Sequence, residues 1–129
     1  MPEFELNKLV RNKLRQEYER AGQIATYRML SEYAHKLELL NKIIEEAKEI
    51  KIDSPIETID DEFADLSQAF KDLIILCGTS EDRVELARQA KYDKKGGFMD
   101  GVFVETLELK DDDEWVEYYR KQPDVFPEK

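Results

Sequence analysis

Four consecutive residues, Ser54-Pro55-Ile56-Glu57, constrain the fold of this chain more than any others. They combine an N-cap serine, a proline suited to the first helical position and a glutamate at capping-box spacing, so a helix is expected to start there. Downstream, Ile59, Phe63, Leu66, Phe70, Leu73 and Cys77 recur at helical spacing, and Gly78 marks the stop. Upstream, Ser31 is the N-cap of another helix running to about Ile50. Only Lys51 to Ser54 separate the two, and so short a link makes long helices antiparallel neighbours.

The first of these helices carries two apolar stripes. Tyr33, Leu37, Leu40, Ile44 and Ala47 form one; Leu39, Ile43 and Ile50 form the other, which Glu46 interrupts where an apolar residue is expected. A local rule broken inside a regular pattern is where function is worth seeking. Glu46 and Glu49 stand at i, i+3 on the first helix, and Glu62 and Asp65 stand at i, i+3 on the second. The short link sets the end of one helix beside the start of the other, so four carboxylates converge. Such a set repels itself unless a cation joins it, and hard Mg²⁺ (or Mn²⁺) prefers oxygen ligands. A solvated acidic face is the competing explanation, since 30 acidic residues in 129 give about seven such pairs by chance.

Elsewhere the pattern is less regular. Leu6, Val10, Leu14, Tyr18 and Ala21 predict a helix ending at Gly22, with its first residues helical or extended. Gln23 to Leu30 reads as a connector. Ser80 starts a third long helix that ends near Lys95, before Gly96-Gly97. Between Arg83 and Lys95 five basic residues face two acidic ones, a local net of +3, and Arg88, Lys91 and Lys95 share one face. Viewed alone, that stripe reads as a surface balancing nearby acids; with a carboxylate–metal cluster a helix away, it suits the oxygens of a polyphosphate. Val102 to Leu109 alternates partly and predicts a short extended segment; Trp115 to Tyr119 predicts a short helix or hook, and the tail from Gln122 is expected to fray.

Composition narrows the classes of function. The chain carries a formal net charge of -10, which argues against binding a nucleic-acid polymer through its backbone. Cys77, the single cysteine, excludes an intrachain disulfide and is expected to act as a small core residue. No signal segment or bilayer-spanning stretch is visible, so no membrane association and a cytoplasmic location are expected. Glu32-x-x-His35 matches half of a di-iron bundle pattern but does not use the stronger motifs. No serine sits in a nucleophile-elbow pattern.

The order of blocks then becomes recognisable. Lys8-Leu9-Val10-Arg11-Asn12-Lys13, Tyr27-Arg28-Met29-Leu30, Lys42 through Glu49, Asp61 through Leu66, and Arg88 through Lys91 to Lys95-Gly96-Gly97-Phe98 follow one another over about residues 8 to 98. In these the chain resembles the MazG-like, all-α nucleoside triphosphate pyrophosphohydrolases, particularly the small branch related to phosphoribosyl-ATP pyrophosphohydrolase. It departs from that pattern at Asn12 (usually aspartate), at Leu14-Arg15 (usually isoleucine-proline) and at Lys95 (commonly arginine). The resemblance implies that Glu46, Glu49, Glu62 and Asp65 bind Mg²⁺, with Glu45 in support or accepting a proton from water. It implies hydrolysis between the α- and β-phosphates of a nucleotide substrate, giving a monophosphate and pyrophosphate. Lys8, Arg11, Lys13, Arg88, Lys91 and Lys95 become candidates for phosphate contacts. It also implies a homodimer or higher homo-oligomer, in which two hairpins complete a four-helix-type bundle; the two apolar stripes of the first helix agree. The expected fold is thus a single all-α domain over 1–129: an antiparallel hairpin, a bundle completed by dimerisation, and a short extended C-terminal segment. A function of another class, a non-catalytic helical module that binds a nucleotide or a protein, is the rival.

Overall fold

The computed structural model describes all residues 1–129 and is entirely helical, with five helices and no strand. They are α1 (Leu14–Arg20), α2 (Glu32–Glu49), α3 (Ile56–Leu76), α4 (Glu81–Lys95) and α5 (Val116–Arg120). No helix is long and apolar enough to cross a membrane. The chain forms two compact units, Met1–Asp93 and Lys94–Lys129.

In the first unit α2 and α3 pack on each other as the expected hairpin. Ser31 caps α2, its side chain accepting the Ala34 N–H at 3.3 Å. At the other end Ile50 leaves the helix in an extended conformation, φ -70 and ψ 115. The start of α3 lies one residue later than the Ser-Pro pattern suggests. Pro55 itself holds the extended cap position, φ -56 and ψ 150, its carbonyl accepts the first helical bonds, and Ser54 makes no side-chain cap. Proline's fixed φ suits a cap as well as a first turn, and its missing N–H is one that no helix would satisfy. At the far end of α3, Gly78 N–H donates to Ile75 and Thr79 N–H to Ile74, the paired bonds of a Schellman stop, with Gly78 at φ +83.

The seam between the two helices is narrow. Leu39 and Glu46 of α2 and Ala69 and Ile74 of α3 are the only buried residues. The helix contact therefore uses the stripe that Glu46 interrupts, with Ile43 and Ile50 half-buried beside it. The other stripe faces outward: Tyr33, Leu37, Leu40 and Ile44 are exposed, as are Phe63 and Phe70 across on α3. Cys77 is exposed too, which corrects its assignment to the core. It holds the cap position after the last turn of α3.

Before the hairpin, only Leu14 to Arg20 of the first segment is helical, and residues 1–12 take an irregular path with Asn7 in a left-handed bend at φ 47. α1 ends in its own Schellman pair at Gly22, φ 71, with Gln23 N–H donating to Tyr18. Arg15 lies over the Tyr27 ring, 4.3 Å from its centroid, and also donates to the Tyr27 hydroxyl. Glu81 to Asp93 of α4 packs on neither hairpin helix, and an ion pair from Lys71 to Glu81 spans the turn into it.

In the second unit residues 102–109 are neither helical nor paired as a strand. Gln122 to Phe126 turns back rather than fraying: the Phe126 ring lies edge-on to Tyr119 at 5.0 Å, and Arg120 pairs with Glu128 at 2.8 Å. Trp115 meets Tyr118 edge-on at 5.2 Å, so the unit is held by an aromatic cluster around α5.

Candidate functional site

The break in the α2 stripe lands where the two helices meet. Glu46 is 7 % exposed, a carboxylate buried where the only other buried residues, Leu39, Ala69 and Ile74, are apolar. Successive turns of α2 set Glu45 and Glu49 around it, and one oxygen of each of the three carboxylates lies within 4.8 Å of the others. Burial pushes the Glu46 carboxyl above its ordinary range; the charge of Glu49, a hydrogen bond shared with it, and the charge of Asp65 across the seam add to the rise, against Lys42. Asp65 thus faces the α2 carboxylates electrostatically, from a half-buried position on α3.

The three-carboxylate cluster lies wholly on α2; Glu62, on α3, stands outside it. Its Oε2 accepts the Lys51 N–H at 2.9 Å, which fastens α3 to the loop that ends α2. One Glu62 oxygen is therefore committed to the backbone. Of the four residues expected to hold a metal, Glu46 and Glu49 lie together, Asp65 faces them, and Glu62 sits one turn before Asp65.

Cations meet these carboxylates from two directions. Lys42, one turn before the cluster on α2, reaches Glu45 at 3.5 Å and Glu46 at 3.6 Å. From the irregular N-terminal segment Lys8 reaches Glu45 at 3.4 Å, and Arg11 donates to Asp65 at 2.7 Å. Burial raises the Glu45 carboxyl, but Lys42 and Lys8 outweigh it and hold the group below its ordinary range. Glu45 is thus kept ionised next to Glu46, whose proton is held more tightly.

The remaining basic candidates lie elsewhere. Lys13 caps the start of α1 and has no acidic partner. Arg88 is spent on its own helix, forked onto Glu85 at 2.6 and 2.9 Å, which raises its pKa and lowers that of Glu85. Lys91 is exposed on the unpacked face of α4, and Lys95 closes that helix in the second unit. The structure brings Lys8 and Arg11 to the carboxylates; it does not bring Arg88 or Lys91 there. Lys42 joins the site from outside the set of basic residues that the sequence predicts for it. Its i, i+4 spacing to Glu46 and i, i+3 spacing to Glu45 was the available signal.

Beside the carboxylates, Ile43, Phe63, Leu66, Ser67 and Phe70 line a wide apolar cleft of about 360 Å³. A larger hollow of about 450 Å³, lined by residues from Gln68 to Asp82, lies at the opposite end of α3 and holds the Lys71–Glu81 pair.

Comparison with protein-family models, with curated proteins and with solved structures finds no match for this chain.

Proposed function

We propose that this protein is a Mg²⁺-dependent nucleotide pyrophosphohydrolase, cleaving a nucleoside triphosphate or related nucleotide into a monophosphate and pyrophosphate. The observation that carries the reading is the buried Glu46, packed against Glu49 and facing Asp65 within a seam that apolar residues would fill more cheaply. A folding-only account leaves that cost unexplained; a cation-binding account uses it. The donor set fits a hard divalent ion, because it is all carboxylate and arises from two rigid helices. Glu46, Glu49 and Asp65 would hold the ion, with the free oxygen of Glu62. The ion supplies positive charge to phosphate oxygens and acidity to water.

The chain's own residues then divide the remaining work. Glu45, whose ionised form Lys42 favours from the same helix, accepts the proton of an attacking water. Lys8 and Arg11, tethered on the segment that already reaches the carboxylates, stabilise the charge gathering on the departing pyrophosphate. Arg88, Lys91 and Lys95 hold a lesser place. Nothing in the hairpin brings Arg88 or Lys91 to the carboxylates, so they reach a bound nucleotide only through an added layer or a movement of α4.

An added layer belongs to the proposal as well. On the hairpin, Tyr33, Leu37, Leu40 and Ile44 of α2 and Phe63 and Phe70 of α3 lie exposed. A second copy laid on these faces makes a four-helix-type bundle and an obligate interface of ordinary size, about 2000–5000 Å² in total.

The test is pyrophosphate release from a panel of ordinary, deoxy and modified nucleoside triphosphates, with and without Mg²⁺. Mg²⁺-dependent release from at least one nucleotide is expected. Tight nucleotide binding without any release would replace the enzyme by a non-catalytic nucleotide-binding module.

A further inference from the structure

We propose that the N-terminal segment is a tethered counter-cation: Lys8 and Arg11 occupy the carboxylates when no divalent ion is bound, and its entry releases them toward the substrate's phosphates. This inference rests on the metal reading above. Lys8 and Arg11 are three residues apart on an irregular stretch, yet they end on carboxylates of two different helices, Glu45 of α2 and Asp65 of α3. Together they straddle the mouth of the seam. The segment has little else to hold it there: the side chains of residues 1–8 are exposed, Val10 and Arg11 are exposed, and Leu9 alone is half-buried.

Five carboxylates, Glu45, Glu46, Glu49, Glu62 and Asp65, carry a formal charge of -5, and Lys8, Arg11 and Lys42 return +3. A divalent ion and the two tethered cations therefore compete for one negative field. Lys42 cannot leave, because its helix fixes it; the N-terminal segment can. By linkage, whatever factor the segment takes from metal affinity, the metal takes from the segment's attachment. Partly exposed pairs are individually weak, so the coupling is modest in size and easily reversed, as a reversible strap requires.

The test titrates Mn²⁺ into the full chain and reads free Mn²⁺ by electron paramagnetic resonance, without nucleotide. The double variant Lys8→Ala, Arg11→Ala is expected to bind Mn²⁺ on the order of three- to tenfold more tightly than the parent. Arg11→Lys, which keeps the charge, stays close to the parent. Arg20→Ala, whose partner is Glu17 within α1, leaves affinity unchanged. In the parent, tryptic cleavage after Lys8 and Arg11 should accelerate when Mn²⁺ saturates. Equal or weaker Mn²⁺ binding by the double variant overturns the strap while leaving the metal reading standing. No Mn²⁺ binding by any variant overturns both. Far-UV circular dichroism confirms that each variant is helical.

Discussion

Glu46 and Glu49 stand one turn apart on α2, with carboxylate oxygens inside a 4.8 Å cluster, and only Glu46 is buried. Burial first, then the neighbouring charge, raises the Glu46 pKa, so the folded protein binds its proton more tightly than the unfolded chain does. Stability from this group is greatest when it is protonated and falls as pH rises from the unfolded value, near 4.5, through the folded one. Without metal, the melting temperature should therefore climb as pH drops through the raised folded pKa toward 4.5. Glu45 acts oppositely: its lowered pKa makes stability fall as pH drops through its folded value, below 4.5. Glu46→Gln should flatten the upper part of the profile and raise the melting temperature at pH 7 by about 2–5 °C, roughly 1 kcal/mol. Scanning calorimetry across pH checks this; identical profiles for variant and parent would contradict the crowded, buried placement of Glu46.

Removing a ligand charge should separate chemistry from folding. Glu49→Gln and Asp65→Asn keep volume and helix, and Glu49 is exposed while Asp65 is half-buried. Each should lower kcat/KM by at least about 100-fold, corresponding to roughly 2.7 kcal/mol, with unchanged far-UV circular dichroism. Variants that turn over like the parent would remove the carboxylates from the mechanism; variants that fail to fold would make their role structural.

The outward stripe of α2 makes a prediction about mass. Sedimentation equilibrium should give a dimer or larger species rather than 15.2 kDa. Leu40→Glu places a charge in the middle of the exposed stripe, where Leu40 is 48 % exposed in the single chain. It should cost about 1.5–3 kcal/mol of assembly if the side chain is fully buried there, and yield monomer. A parent that sediments as monomer at every concentration would refute the added layer.

The stop of α3 offers a test of the backbone alone. Gly78 has φ +83 and nothing within 4 Å of the position a Cβ would take. Gly78→Ala therefore meets strain without a clash and should destabilise by about 1 kcal/mol, read as a shift in the denaturation midpoint with unchanged slope. A neutral result would mean that the Thr79–Ile74 stop is not what ends the helix.

Much of this architecture is legible in local pattern, for physical reasons. Ser31, the Ser54-Pro55 pair and Gly78 act on the few residues around them, so the hairpin and its bounds follow from the sequence to within a residue or so. The placement of Glu46 followed from a broken stripe. Which of two apolar stripes on α2 meets α3 did not, because both have helical period and the choice depends on the partner surface. The stripe of α3 predicts a single seam of large residues, yet Ala69 and Ile74 are buried where Phe63 and Phe70 are not. A small residue lets two backbones approach, and the rings stay outside. The contacts of Lys8 and Arg11 were illegible for another reason: pairing over 37 and 54 residues leaves no local periodicity. The basic stripe of α4 shows the converse, a face that is regular in sequence and has no helix packed against its Arg88 and Lys91.

Isotope tracing tests most directly which bond of the nucleotide breaks. The parent is incubated with Mg²⁺ and its best nucleotide triphosphate in ¹⁸O-labelled water, and the products are resolved by ³¹P NMR. Attack at the α-phosphorus should give monophosphate carrying the label and unlabelled pyrophosphate, with both absent from the Asp65→Asn reaction. Label in pyrophosphate, release of orthophosphate with a diphosphate product, or no turnover of any nucleotide in the panel would contradict it.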